Sequence, residues 1–253
     1  LTFVGSSDLT INGATTISGA NRTLTVTAGT LTLGGGLGED STRNFTKDGA
    51  GTLVLTGNST YTGTTTISTA GGKLQIGNNG TSGTLASGAV TVTSATLSFK
   101  RSDSLTVANT ISGTGSLSQD GSGTTTLTGT LSYSGATTVN AGKLFINTSQ
   151  TTSARTVNSG GTIGGNNSIG GVTVNNGGTV TGGNGSGVGT ATMSSLSLGS
   201  TGTDTLTINV VPGAGGSSIA VSTSNGLTNN GVTTFNCTGT ALNTPGTYTL
   251  ATY

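Results

Sequence analysis

Thirty residues from Lys47 to Ile76, KDGAGTLVLTGNSTYTGTTTISTAGGKLQI, return in degraded form further along the same chain. At an offset of 72, Asp48, Gly49, Gly51, Leu55, Gly57, Tyr61 and Gly63 fall on Asp120, Gly121, Gly123, Leu127, Gly129, Tyr133 and Gly135. The phase holds as far as Ile67 over Val139. Two residues then drop out, because Lys73-Leu74 meets Lys143-Leu144 at an offset of 70, and Ile76 over Ile146 closes the unit. A repeat of this length confines the chain to architectures in which one supersecondary unit stacks on another.

Between and around the copies run short alternating apolar pairs: Leu9 with Ile11, Leu24 with Val26, Leu31 with Leu33, Val90 with Val92, Leu97 with Phe99. Each reads as a strand of a few residues, bounded by NG, AG and GG turns that tolerate positive φ. Antiparallel sandwiches and solenoids both use such strands, and the repeat decides between them. A triangular coil takes roughly 22 to 24 residues, so 72 reads as three coils of 24. The expectation is an all-β parallel β-solenoid, or β-helix, with roughly three strands per coil over residues 1–193 and repeat copies at 44–77 and 116–147. Asp48 would then lie in the same corner as Asp120, and Tyr61 in the same corner as Tyr133. Over residues 194–253 the strands lengthen, as in TLTINVV, which predicts modified coils or a capping β region.

Composition supports this. Of 253 residues, 47 are Gly and 58 Thr, only 15 are charged (8 basic and 7 acidic), and the net charge is +1. Val, Ile and Leu set among Thr suit a pleated, half-buried surface, with apolar side chains inward and hydroxyls outward. Long helices are excluded by Gly and β-branched Thr and by the lack of any 3.6-residue period. No apolar run approaches the roughly 20 residues of a membrane span, and LTFVGSSDLTI has neither the basic nor the apolar region of a signal peptide. Cys237, the only cysteine, excludes an intrachain disulfide and reads as a small buried side chain beside Phe235.

The stretch GAGTLVLTGNSTYTGTTTIS with KLQIGN resembles the autotransporter-associated β-strand repeat, also called the passenger-associated transport repeat, of surface proteins secreted by Gram-negative bacteria. Gly49, Gly51, Leu53, Leu55, Gly57, Tyr61, Gly63, Thr65, Ile67 and Leu74 occupy its pattern positions. The second copy departs from it at Thr125, where a Leu is expected, and at Leu131. The resemblance implies a right-handed parallel β-solenoid exported across the outer membrane, hence an extracellular or cell-surface location.

Chemistry is sparse. Without His, neither a Ser-His-Asp nor a Cys-His arrangement can form, nor the usual zinc sites. Gly35-Gly36-Leu37-Gly38-Glu39-Asp40 matches the GGxGxD of calcium-binding β-rolls and makes Glu39 and Asp40 candidate metal ligands. Its single copy favours a solvated loop, Gly34 to Arg43, protruding from the coils. Asp48 and Asp120 are expected to bond their own turns. Lys73 and Lys143 repeat as a structural corner, and Lys100-Arg101-Ser102-Asp103 reads as a solvated turn. No catalytic residue or cofactor is expected, and neither charged cluster is basic enough for nucleic acid.

The function expected is a non-enzymatic, extracellular structural or adhesive solenoid, as a stalk-like passenger or a filament subunit that self-associates into a homo-oligomer. Terminal strands would join copies by β-augmentation, with Leu1, Phe3, Tyr248, Leu250 and Tyr253 as assembly candidates. The alternative is a β-helix that binds or cleaves surface glycans, with Tyr61 and Tyr133 as a stacked aromatic pair.

Overall fold

A computed structural model describes residues 1–68, 72–183, 189–199, 203–209, 217–230 and 232–238, with side chains described in all but 203–209, 217–218 and 232–238. The chain divides into two compact units, Leu1–Thr138 and Val139–Tyr253. Each is a parallel β-solenoid.

In the first unit the strands Leu9–Ile11, Thr30–Leu33, Thr52–Leu55, Lys73–Ile76, Thr96–Phe99 and Ser116–Gln119 pair in that order, all parallel, and form face one. Face two carries Thr15–Ile17 with Leu37–Glu39 and, further along, Ser104–Val107 with Thr124–Leu127. Face three is built from Thr2–Phe3, Arg22–Val26, Phe45–Asp48, Thr65–Ile67, Val90–Val92 and Ile111–Ser112. The chain visits the faces in turn, so like residues stack.

The stack is clearest in one leucine column. Leu9, Leu31, Leu53, Leu74, Leu97 and Leu117 are successive partners, which makes the coils 22, 22, 21, 23 and 20 residues long. From Leu31 onward these side chains are buried, whereas Leu9 and Ile11 in the first coil are covered from one side only and stay exposed. Full burial of each such side chain contributes about 1.5–3 kcal/mol. On the outer side of face three, Thr23, Thr46, Thr66, Thr91 and Ser112 form a hydroxyl column, in which Thr91 and Ser112 share a 3.4 Å hydrogen bond.

This register corrects one expectation. Leu53 to Leu117 covers three coils in 64 residues, not 72, and the remaining eight carry the chain from face one onto face two. The second copy is therefore turned by one face relative to the first. Asp48 ends a strand of face three while Asp120 follows a strand of face one, so the two do not share a corner. Equal coils of 24 residues do not occur here.

In the second unit one ladder joins Gly142–Ile146, Gly161–Gly165, Thr179–Thr181, Thr203–Asn209 and Val232–Thr238. A second joins Arg155–Val157, Gly171–Val174, Ser195–Leu198 and Leu227–Asn229, and Gly189–Met193 pairs with Ser217–Val221. The coil tightens to 17 residues between Arg155 and Val172, then widens to 24 from Val172 to Leu196 and 31 from Leu196 to Leu227. An amide ladder marks one corner: Asn158 Nδ2 donates to Asn140 Oδ1 and Asn175 Nδ2 to Asn158 Oδ1, both at 2.7 Å. Asn and Gly let tight corners satisfy their own polar groups.

Candidate functional site: the repeat corner

The repeated unit is a corner with its two flanking strands. In the first copy Phe45–Asp48 on face three passes through Gly49 to Gly51 into Thr52–Leu55 on face one. In the second, Ser116–Gln119 on face one passes through Asp120 to Gly123 into Thr124–Leu127 on face two. One motif thus serves two different corners.

What makes the corner close is a buried donor. Lys47 stands in an inward column between Leu24 and Ile67 and is 1% exposed. Its ammonium donates to the carbonyls of Gly49 and Gly51, the latter at 2.5 Å. Exactly 72 residues would be the wrong spacing for a shared corner, yet it is the right one for a shared role, because it places Gln119 at the same point of the motif. Gln119, also 1% exposed, follows Ile76 and Phe99 in its column, and its Nε2 donates to Gly121 O at 2.9 Å and Gly123 O at 3.3 Å. Turn carbonyls facing a core need such a partner. Burial of Lys47 drives its pKa down to about 8 against a modest opposing pull from Asp48. Neither residue was among the expected site residues, although the phase of the repeat aligns them.

The other repeated residues are structural as well. Asp48 accepts from the Ser68 hydroxyl of the next coil and bonds the Gly49 N–H of its own turn, as expected, and both hold its pKa down, Ser68 most. Asp120 gathers the hydroxyls of Ser98 at 2.6 Å and Ser118 at 2.9 Å, with Lys73 Nζ at 3.6 Å. Tyr61 shares a 2.6 Å hydrogen bond with Thr65 and meets Phe45 edge to face with ring centres 5.9 Å apart. Tyr133 repeats the bond with Thr137 at 2.7 Å. Both tyrosines are buried and lead into different faces, so they offer no stacked aromatic pair to a ligand. Desolvation pushes the Tyr61 hydroxyl up to about 12.

The loop from Gly34 to Arg43 is not a protrusion. Leu37–Glu39 is a strand paired with Thr15–Ile17, and Leu37 is buried. Glu39 accepts from the N–H and hydroxyl of Thr62 in the following coil and from Arg43 N, while Asp40 accepts from Gly19 N in the preceding coil and from Arg43 Nε. These bonds lower both carboxyl pKa values, chiefly the Thr62 hydroxyl for Glu39 and the Gly19 N–H for Asp40. The two candidate metal ligands thus tie three coils together. Among the described residues no three His, Cys, Asp or Glu gather as a metal site.

Arg101 also departs from the solvated turn expected of it. It is 9% exposed and holds Gly83 O at 2.9 Å, Thr81 O at 2.6 Å and Asp103 through two bonds. Of the assembly candidates, Leu1 is 85% exposed, and Phe3 is half-buried in a strand paired with Arg22–Val26. Tyr248, Leu250 and Tyr253 lie outside the described residues, as does the side chain of Cys237. Among the described residues no helix is long and apolar enough to cross a membrane.

Known proteins carry the same unit. The family described as the passenger-associated transport repeat matches residues 45–76 and 117–144. The chain is 52% identical over 94 residues to the adhesin BmaC autotransporter of Brucella suis biovar 1 (strain 1330), a match covering 35% of this chain and 3% of that adhesin. The chain therefore spans a small part of that relative's length. No solved structure matches it. The two segments that match the passenger-associated transport repeat are each a corner unit of a parallel β-solenoid.

Proposed function

We propose that the chain is a non-enzymatic, extracellular segment of an adhesive passenger at a bacterial surface. The observation that carries this reading is the identity to an autotransporter adhesin. The corner chemistry supports it: the carboxylates of Glu39, Asp40, Asp48, Asp103 and Asp120 all hold neighbouring donors in place. A stack of backbone ladders with Thr-rich outer faces suits a wall that resists proteolysis and holds contact surfaces away from the cell. The test is to display the chain on the outer surface of a non-adherent bacterium and count cells retained on epithelial monolayers. Retention well above that of cells displaying the chain with 45–144 deleted is expected; equal retention removes the adhesive role.

The finer version is that copies self-associate end to end into a filament. It is motivated by Thr2–Phe3 at the edge of its sheet and by Leu1 and Val4, which are 85% and 73% exposed. Unpaired strand edges invite a further strand. Electron microscopy of the purified chain is expected to show fibres that vanish when Leu1 to Gly5 are deleted. Fibres that persist without them rule out joining at this edge.

A further inference from the structure

We propose that an outer groove of the Val139–Tyr253 unit binds a neutral, polyhydroxylated chain: a glycan without carboxylate, sulfate or phosphate groups. The groove has a volume of about 360 Å³. Its floor is the outward column Thr156, Thr173 and Ser197, successive partners on three parallel strands, while the alternate residues Val157, Val172, Val174 and Leu196 face the core. Strand stacking sets these hydroxyls about 4.8 Å apart in a straight row. A ligand whose own polar groups repeat along its length can meet such a row more than once.

The wall of the groove is built in advance. Eight residues, 147–154, join Gly142–Ile146 to the next strand, where the following corner uses only five, 166–170. The longer connection stands beside the floor and contributes Thr151, Thr152 and Ser153 to the lining. It is pinned from beneath by Arg155, which is 1% exposed in a column otherwise occupied by Val172 and Leu196. Arg155 Nη1 donates to Ser153 O at 2.7 Å and Ile169 O at 2.6 Å, and Nη2 donates to Gln150 O at 2.6 Å and to the Gln150 side chain. Gln150 and Ser153 are themselves 2% exposed. A wall fixed before the ligand arrives lowers the ordering cost of binding.

The same arginine sets the ligand class. It is the one charged residue in the lining, and its guanidinium is turned under the wall to hold these carbonyls. An anion entering the groove would lose water and find this guanidinium buried, both of its Nη groups already donating to Ser153, Ile169 and Gln150, and a cation would meet no carboxylate in the lining, whereas hydroxyls exchange one set of hydrogen bonds for another. With no aromatic in the lining to stack on a sugar ring, affinity is expected to be on the order of millimolar.

The test uses the full chain and saturation-transfer NMR with cellohexaose, maltohexaose and laminarihexaose, alongside hexasaccharides of heparin and polygalacturonate. Transfer to at least one neutral hexasaccharide and none to the charged pair is expected. Thr173→Arg, at an exposed floor position, is expected to weaken binding about tenfold or more while leaving the urea unfolding midpoint unchanged. No transfer to any neutral hexasaccharide, equal transfer to the charged ones, or wild-type binding by Thr173→Arg overturns the proposal. It rests on the adhesive reading for the source of its ligand, yet the two fail separately. Cells that adhere while the purified chain binds no neutral hexasaccharide overturn the groove alone; groove binding without adhesion supports the groove and removes the adhesive role.

Discussion

Replacing Gly57 by alanine is expected to destabilise the chain by about 3 kcal/mol or more, far beyond the effect of a single added methyl on an open surface. A Cβ at Gly57 would lie 2.0 Å from Gly36 N, 2.5 Å from Gly34 O and 2.6 Å from Gly35 C. All three are backbone atoms of the preceding coil, so no rotamer change can make room. The coils must part, which strains the bonds from Thr56 N and Gly57 N to Leu33 O and from Thr60 N to Leu37 O. Gly129 occupies the same place in the second copy, with its Cβ 2.1 Å from Asn109 O, and should behave alike. Gly13 is the control, because nothing lies within 4 Å of its Cβ. Gly13→Ala is expected to be neutral or to stabilise by a few tenths of a kcal/mol through the unfolded chain. Urea titration followed by circular dichroism reads all three; a Gly57→Ala midpoint close to that of Gly13→Ala would mean that the coils are not packed backbone to backbone.

The contrast between these glycines explains how much of the fold could be read beforehand. Alternating Leu pairs separated by Gly-rich turns specify short strands, and the recurrence of Asp48 to Gly63 at Asp120 to Gly135 specifies stacking. Both are local signals, and both are legible. The face on which a copy lands is not, because it depends on the summed lengths of every intervening corner, and these vary from coil to coil. A few residues gained or lost in successive corners turn the next copy onto another face without disturbing any local pattern. The Gly34 to Arg43 segment misleads for a related reason: its glycines read as a loop, but in a parallel stack they let Leu37–Glu39 pass close beneath the next coil.

The corner donors were hidden differently. Lys47 and Gln119 look unlike, one a cation and the other a neutral amide, and a pattern built on residue identity scores them as a mismatch. Their shared property is reach combined with an N–H that can turn back onto two carbonyls. Arg101 and Arg155 belong to the same class, and charged residues in a chain with so few charges invite a solvent reading. In a narrow solenoid core the carbonyls of the corners face inward, so long donors are drawn inside to meet them.

Lys47→Gln puts this account to its sharpest test. The wild-type lysine ionises at about 8 in the folded chain against an ordinary value of 10.5, so folding works against its charge. Below pH 8 both folded and unfolded chains carry the proton and the penalty is fully present. Between pH 8 and 10.5 the unfolded chain holds more protons, so stability rises with pH; above that both are neutral and the penalty is gone. The size of the shift corresponds to about 3 kcal/mol. Glutamine makes the same contacts from the equivalent position in the other copy without a charge, so Lys47→Gln is expected to stabilise by about 1–3 kcal/mol at pH 7. Lys47→Met loses the donor too, strands the Gly49 carbonyl, and is expected to fall about 1–3 kcal/mol below the glutamine variant. Tyr61 runs the opposite way, since its raised pKa of about 12 removes stability as pH climbs above its ordinary 10.0. The readout is therefore the difference between wild type and Lys47→Gln from pH 7 to 9.5, in which the tyrosine contribution cancels. That difference should shrink steadily above pH 8. A gap that stays constant would show that the lysine is neutral, or solvated, throughout, and that the first corner is closed by something other than its buried ammonium.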